Sequence, residues 1–228
     1  MSSADLTRWS PRDFPGSEPM EGRLVRIVAL DADTHWRDLW TAFGSGKGSD
    51  AWTYMPIGPF PDETSFAGGM RWIEERSPAW VPCAILDKAS SKAFGTASYM
   101  RIDTANGSAE VGCIAYGEGL KRRPAATEVM YLMARRIFDE LGYRRYEWKC
   151  DADNQASRRA AERLGFTFEG IFRQHMVVKG RNRDTAWFSI TDGEWPKISA
   201  AMQRWLEPLN FDEAGRQRKR LGELRAVV

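Results

Sequence analysis

Glu110-Val-Gly-Cys-Ile-Ala-Tyr116, the loop Gly117-Glu-Gly-Leu120 and the run Lys121-Arg122-Arg123-Pro124-Ala125-Ala126-Thr127-Glu128 decide the fold. The first part alternates as a strand does, and the last opens a helix. Proline at the first helical position gives up only an N–H that would be unpaired anyway. Lys121, Arg122 and Arg123 stand just before that helix, where like charge meets the positive end of its dipole. The arrangement costs a few tenths of a kcal/mol per charge unless an anion fills the gap. An anion site and an ordinary basic loop both remain open on this reading.

Working outward, Val129, Met130, Met133, Ile137, Phe138 and Leu141 recur every three or four residues, so a helix over 124–141 buries one face. Gly142 ends it. A strand over 143–150 and a helix over 154–164 follow, the latter with Asn154 as its N-cap. Then come strand-like runs 167–178 and 185–190, separated by a polar turn over 179–184, and an amphipathic segment over 194–206. On the other side, runs 80–87, 92–102 and 109–116 are joined by Ser90-Ser91 and Asn106-Gly107 turns, which predicts antiparallel hairpins. Earlier still are a strand over 24–30, a helix capped by Asp33, the stiff aromatic loop Trp52–Pro61 and a helix over 63–76. The class is α/β (α+β): a mixed, mostly antiparallel sheet flanked by helices. The expected organisation is an extended arm (1–22), a catalytic domain (23–192) and a helical C-terminal extension (193–228).

With 33 basic and 31 acidic residues, the net charge of +2 carries no dedicated nucleic-acid face. The Arg-rich end, 216–225, is interleaved with glutamates and reads as a solvated helix face. No stretch approaches the apolar length of a membrane span, and the N-terminus lacks a signal peptide's pattern. Cys83, Cys113 and Cys150 are scattered in apolar runs, which fits free thiols in a reducing cytoplasm. His35 and His175 are too few for a zinc site, so no metal is expected.

The layout resembles the GNAT superfamily of acyl-CoA-dependent N-acetyltransferases, within it the branch of the ribosomal-protein N-terminal acetylases. Its pyrophosphate turn, Gln/Arg-x-x-Gly-x-Gly/Ala, corresponds to Lys121–Ala126, continuing Thr127-Glu128. Its Asn-x-x-Ser…Leu-Gly-Phe helix corresponds to Asn154, Ser157 and Leu164-Gly165-Phe166. The likeness spans about residues 22–192. Pro124 replaces the usual glycine, and Ala161 stands where many relatives carry a tyrosine acid. The resemblance implies acetyl-CoA as co-substrate, held by Lys121, Arg122, Arg123, Ala125, Ala126, Thr127, Asn154 and Ser157. The oxyanion would meet backbone N–H groups near Ala115 and Tyr116.

An amine must be neutral to attack a thioester. A lysine-like amine pays about 4.6 kcal/mol for this at pH 7 and an α-amine about 1.4. A carboxylate base helps either. Glu110 is the candidate base, with Glu147 second, and a cross-strand ion pair is the structural alternative for Glu110. Ser157 is placed to bond the sulfur or the pantetheine, or is simply a first-turn serine. The thiol, pKa near 8.5, leaves with little help. Trp52, Tyr54 and Phe60 are candidates for the acceptor pocket or for packing. Arg173, with Arg181 and Arg183 near the late hairpin, would suit an acceptor carboxylate, but a solvated turn is the better account of them. The expectation is direct acetyl transfer to a primary amine, either a protein or peptide α-amine or a small amine such as an amino acid or aminoglycoside. A catalytically silent acyl-CoA-binding regulatory module is the alternative. Trp195, Trp205 and Phe211 offer rings for a homodimer.

Overall fold

Period-two alternation produces eight strands, and the computed structural model, which describes residues 6–45 and 49–227, joins them in one sheet. They are β1 (Met20–Glu21), β2 (Val25–Ala29), β3 (Val81–Asp87), β4 (Ala93–Asp103), β5 (Ser108–Tyr116), β6 (Arg145–Asp151), β7 (Thr167–Val178) and β8 (Arg181–Thr191). Their order is β1-β2-β3-β4-β5-β6-β8-β7. Every neighbouring pair is antiparallel except β5–β6, which is parallel. The helical crossover between those two strands allows the parallel pairing.

Helices occupy both faces. α1 (Ala32–Ala42) and α2 (Glu63–Glu74) form a small core with Leu39, Phe43, Phe66, Met70 and Ile73 against Leu30, Ala84 and Ala93. Burying each large side chain contributes about 1.5–3 kcal/mol. The cap of α1 is Asp31, not Asp33: the Asp31 carboxylate accepts from Thr34 N–H at 3.0 Å, and Asp33 sits inside the first turn, paired with Arg71. α2 opens with a reciprocal Asp62/Ser65 capping box.

The other face carries α3 (Pro124–Arg135), α4 (Gln155–Leu164), α5 (Trp195–Leu206) and α6 (Leu221–Ala226) over Ile27, Ile85, Tyr99, Val111, Tyr146, Trp148 and Phe188. The helix expected over 124–141 does not run straight through. After Arg135 the chain widens into a π-type turn, Arg136–Glu140. The wider turn buries Ile137, Phe138 and Arg136 together, with Arg136 Nη1 donating to the Glu18 carbonyl at 2.6 Å. Residues 6–19, the described part of the arm before β1, form no helix and are tied down by Trp9 Nε1 to Ala105 O (2.7 Å) and Tyr143 Oη to Asp13 O (3.0 Å).

Trp195 stacks 5.2 Å from Phe138, and Trp205 meets Phe211 edge-on at 5.1 Å. Both tryptophans are buried within the chain, so the rings considered for a homodimer serve the fold instead. The late hairpin also differs from expectation. Its turn is only Lys179-Gly180, and Arg181–Asp184, expected in the turn, belongs to β8.

Candidate active site

β5 and β6 pair over only four positions, from Ser108–Arg145 to Val111–Trp148. Beyond these, β5 remains bonded to β4 and β6 to β8, so the two strands part company. Between Gly112 and Ala115 the register of β5 against β4 shifts by one residue, and Cys113 takes a left-handed φ of 49°. A bulge there re-aims the strand where the parting begins. The result is a parting of the two strands beyond Val111 and Trp148, next to Glu110.

Glu110 lies at that point, 4 % exposed. Its Oε2 takes Arg101 Nη1 at 2.5 Å and Lys149 Nζ at 3.1 Å. Its Oε1 points along the strand: a methyl group at Gly112 would fall 3.0 Å from it and 2.5 Å from Met100 Sδ. A side chain at this position would press on both Met100 and Oε1, so glycine leaves that oxygen uncrowded. Lys149 also pairs with Glu147 at 2.7 Å and sits 3.8 Å from the centre of the Trp187 ring. Arg145 continues the chain, from Glu147 (2.7 Å) to a two-pronged contact with Glu169 (2.7 and 2.6 Å). Burial pushes the Glu147 carboxyl up, but the bonds from Lys149 and Arg145 outweigh it and hold it below the usual carboxylate range. So the cross-strand ion pair foreseen for Glu110 exists, and one carboxylate oxygen is still free of it.

On the α3/α4 face, no side chain caps the α3 N-terminus. Arg122 holds a left-handed φ of 59°, and Arg122 and Arg123 are exposed and make no ion pair among the described residues. Lys121 differs: its ammonium is bound by Glu118 at 2.6 Å, which leaves two of the three cations to face a ligand. Ala125 and Ala126 are half-buried. Thr127 is buried, its hydroxyl taken by Arg163 Nη1 of α4 at 3.1 Å. Asn154 caps α4 by accepting from Ser157 N–H at 3.0 Å. The Ser157 hydroxyl in turn accepts from Trp148 Nε1 at 2.9 Å. Trp148 is the last β6 residue paired with β5, so Ser157 is anchored beside the point where the strands part, and its hydroxyl also bonds the Cys150 thiol. Ala115 is buried and Tyr116 half-buried beyond the bulge, on the stretch of β5 without a β6 partner. Burial drives the Cys113 thiol up to about 12, which makes it a poor nucleophile at neutral pH.

On the opposite face the aromatic loop behaves differently from the pocket reading. Trp52 is 2 % exposed and packs among Phe43, Phe60 and Phe66. Phe60 also meets Phe66 edge-on and lies in the same cluster. The loop's polar contacts with the late hairpin and with the turn after β6 run through its backbone and Tyr54. Lys179 Nζ, from the late hairpin, donates to the carbonyls of Trp52 (2.8 Å) and Ile57 (3.0 Å), and Tyr54 Oη reaches Asp153 O at 3.4 Å. Arg173 is exposed on a bulged stretch of β7, away from the buried cluster. Lys149 and Trp187 are the residues here that spacing could not single out, because strands far apart in sequence bring them together.

Residues 25–167 match the family described as acetyltransferase (GNAT) domain. A GCN5-related N-acetyltransferase from Brucella melitensis is 48 % identical, with a TM-score of 0.93, over 97 % of this chain and 100 % of that one. A GNAT-family structure from Chromobacterium violaceum is 37 % identical, TM-score 0.78, over 86 % and 97 %. Among curated proteins, the uncharacterized N-acetyltransferase p20 of Bacillus licheniformis is 28 % identical over 62 % of this chain and 80 % of its own. The match covers more than half of the chain and includes the parted strands, the uncapped helix and the buried glutamate: the protein belongs to the GNAT acetyltransferases.

Proposed function

We propose that the protein transfers acetyl from acetyl-CoA directly to a primary amine, with Glu110 as general base. The parting of β5 and β6 carries this reading, since an uncapped helix N-terminus lies on one face of the sheet and a buried carboxylate stands beside the parting on the other. The Arg122–Ala126 turn and the α3 N-terminus hold the diphosphate through charge and N–H groups. Asn154 and Ser157 lie along the pantetheine arm. The acetyl-CoA thioester supplies the electrophilic carbonyl. Glu110 Oε1 takes a proton from the incoming ammonium, directly or through one water, and the neutral amine then attacks the thioester carbonyl to form the C–N bond. Backbone N–H groups of the bulged stretch before Tyr116 receive the oxyanion's charge. The C–S bond then breaks, and coenzyme A leaves as thiolate, needing no strong acid. That suits a chain with Ala161 at the position where the resemblance places a tyrosine. The free thiols support a reducing cytoplasm as the setting of the reaction.

Glu110→Gln tests the assignment. Acceptor-dependent thiol release falls about 100-fold or more, while calorimetry gives unchanged acetyl-CoA affinity. Unaltered turnover would remove Glu110 from the mechanism. Binding of acetyl-CoA with no thiol release from any amine would make the chain a silent acyl-CoA-binding module.

A further inference from the structure

β8 pairs with β6 without a register shift from Thr185 to Thr191 and continues as a strand back to Arg181, so strand alternation puts Arg183, Thr185, Trp187 and Ser189 on the face that bears Lys149 and Glu147. On that face two donors are buried with no partner in the protein: Arg183 Nε and Trp187 Nε1. Neither group can accept a hydrogen bond, and each buried donor left unpaired costs about 1–3 kcal/mol. Other donors in the same region are served. Lys149 has two carboxylates, Arg145 has two, and Lys179 has two carbonyls. Arg183 is different, since it makes no ion pair among the described residues. Nearby acids are engaged elsewhere. Asp184 accepts from Gln174 N–H at 2.7 Å and Asn182 at 2.9 Å, and Asp151 from Asp153 N–H at 2.9 Å.

Arg183 and Trp187 are four residues apart, about 13 Å along a strand, and both side chains are long enough to converge on one group above Thr185. Thr185 is itself occupied, its hydroxyl 2.9 Å from His175 Nδ1. The bulge in β7, with Gln174 at a φ of 50°, places that histidine against Phe172 and Trp187. The Trp187 ring is fixed between Phe172 (4.6 Å) and Lys149 (3.8 Å), so its N–H direction is set before any ligand arrives. The Lys179 contacts and Tyr54 bound this side of the face with the 52–57 loop, which favours a small ligand over a folded protein.

We infer that the acceptor is a small primary amine that also bears a carboxylate, gripped by Arg183 and Trp187 while its amine lies near Glu110. A guanidinium and an indole N–H demand acceptor atoms with negative charge, and a carboxylate supplies both. This inference rests on the acetyl-transfer reading above.

The test pairs glycine, β-alanine and 4-aminobutyrate with their carboxamides, in thiol-release assays and in calorimetry with wild-type, Arg183→Gln and Trp187→Phe enzyme. Trp187→Phe keeps an aromatic ring between Phe172 and Lys149, and melting curves check that both variants fold. At least one carboxylate shows a kcat/KM at least tenfold above its amide. Each variant lowers the carboxylate's kcat/KM about 10- to 100-fold more than the amide's, chiefly through KM. Amides that match or exceed every carboxylate, or a preference that survives both substitutions, would overturn the inference while leaving acetyl transfer intact. Arg183-dependent binding of a carboxylate without thiol release would sustain the site and remove the acetyl-transfer reading instead.

Discussion

Lys149 has a side chain only 3 % exposed and answers two carboxylates at once. Without it, Glu110 and Glu147, which occupy the same register position on adjacent parallel strands, would face each other as like charges. One ammonium thus makes two buried acids compatible. The Glu147 carboxyl is held below its ordinary value, so its contribution to stability is fully present above the unfolded value near 4.5. It is lost as pH falls through the lower folded value. Glu147→Gln lowers the melting temperature by about 2–4 °C at pH 7, the equivalent of about 1 kcal/mol for a chain of this size. Near pH 3 the two proteins converge. Melting curves over pH 3–8 check this, and a constant gap at all pH values would show that the charge is irrelevant.

Among the elements, α3 does two jobs with adjacent residues. Its first turn offers N–H groups outward, while Glu128, one turn in and 5 % exposed, reaches across to the start of β2. The Glu128 carboxylate accepts from the N–H groups of Arg23 (2.9 Å), Leu24 (2.6 Å) and Val25 (2.8 Å). A methyl group at Gly22 would fall 2.5 Å from Glu128 Oε2, so the close approach depends on that glycine. Glu128→Ala strips three charge-assisted bonds at once and destabilises by about 3 kcal/mol or more, with Glu128→Gln between the two. Urea unfolding measures it, and a loss under about 1 kcal/mol would show that water replaces the carboxylate at no cost. The Thr-Glu step that reads as part of a phosphate turn is thus an anchor between helix and sheet.

Across the whole molecule, strands and helices were legible because their signals are local: period two, period 3.6, capping residues and turn glycines. The single parallel pairing was implied by the helix between its strands. Contacts between distant strands were not legible. Glu110 meets Lys149 over 39 positions, and nothing in either neighbourhood announces the other. Trp52 shows the opposite failure, because an aromatic, proline-rich loop has the same composition whether its rings fill a pocket or a core. The four pairs that join β5 to β6 have a further mechanical meaning. They are the narrow seam between a five-stranded half and a three-stranded half, and the amides just past it lack a neighbour to shield them. In deuterium exchange, the amides of residues 112–116 and 149–151 that face the gap open first among those of the central strands. A co-substrate lodged there stitches the halves together, slowing their exchange more than that of β3, and equal protection with and without acetyl-CoA would rule this out.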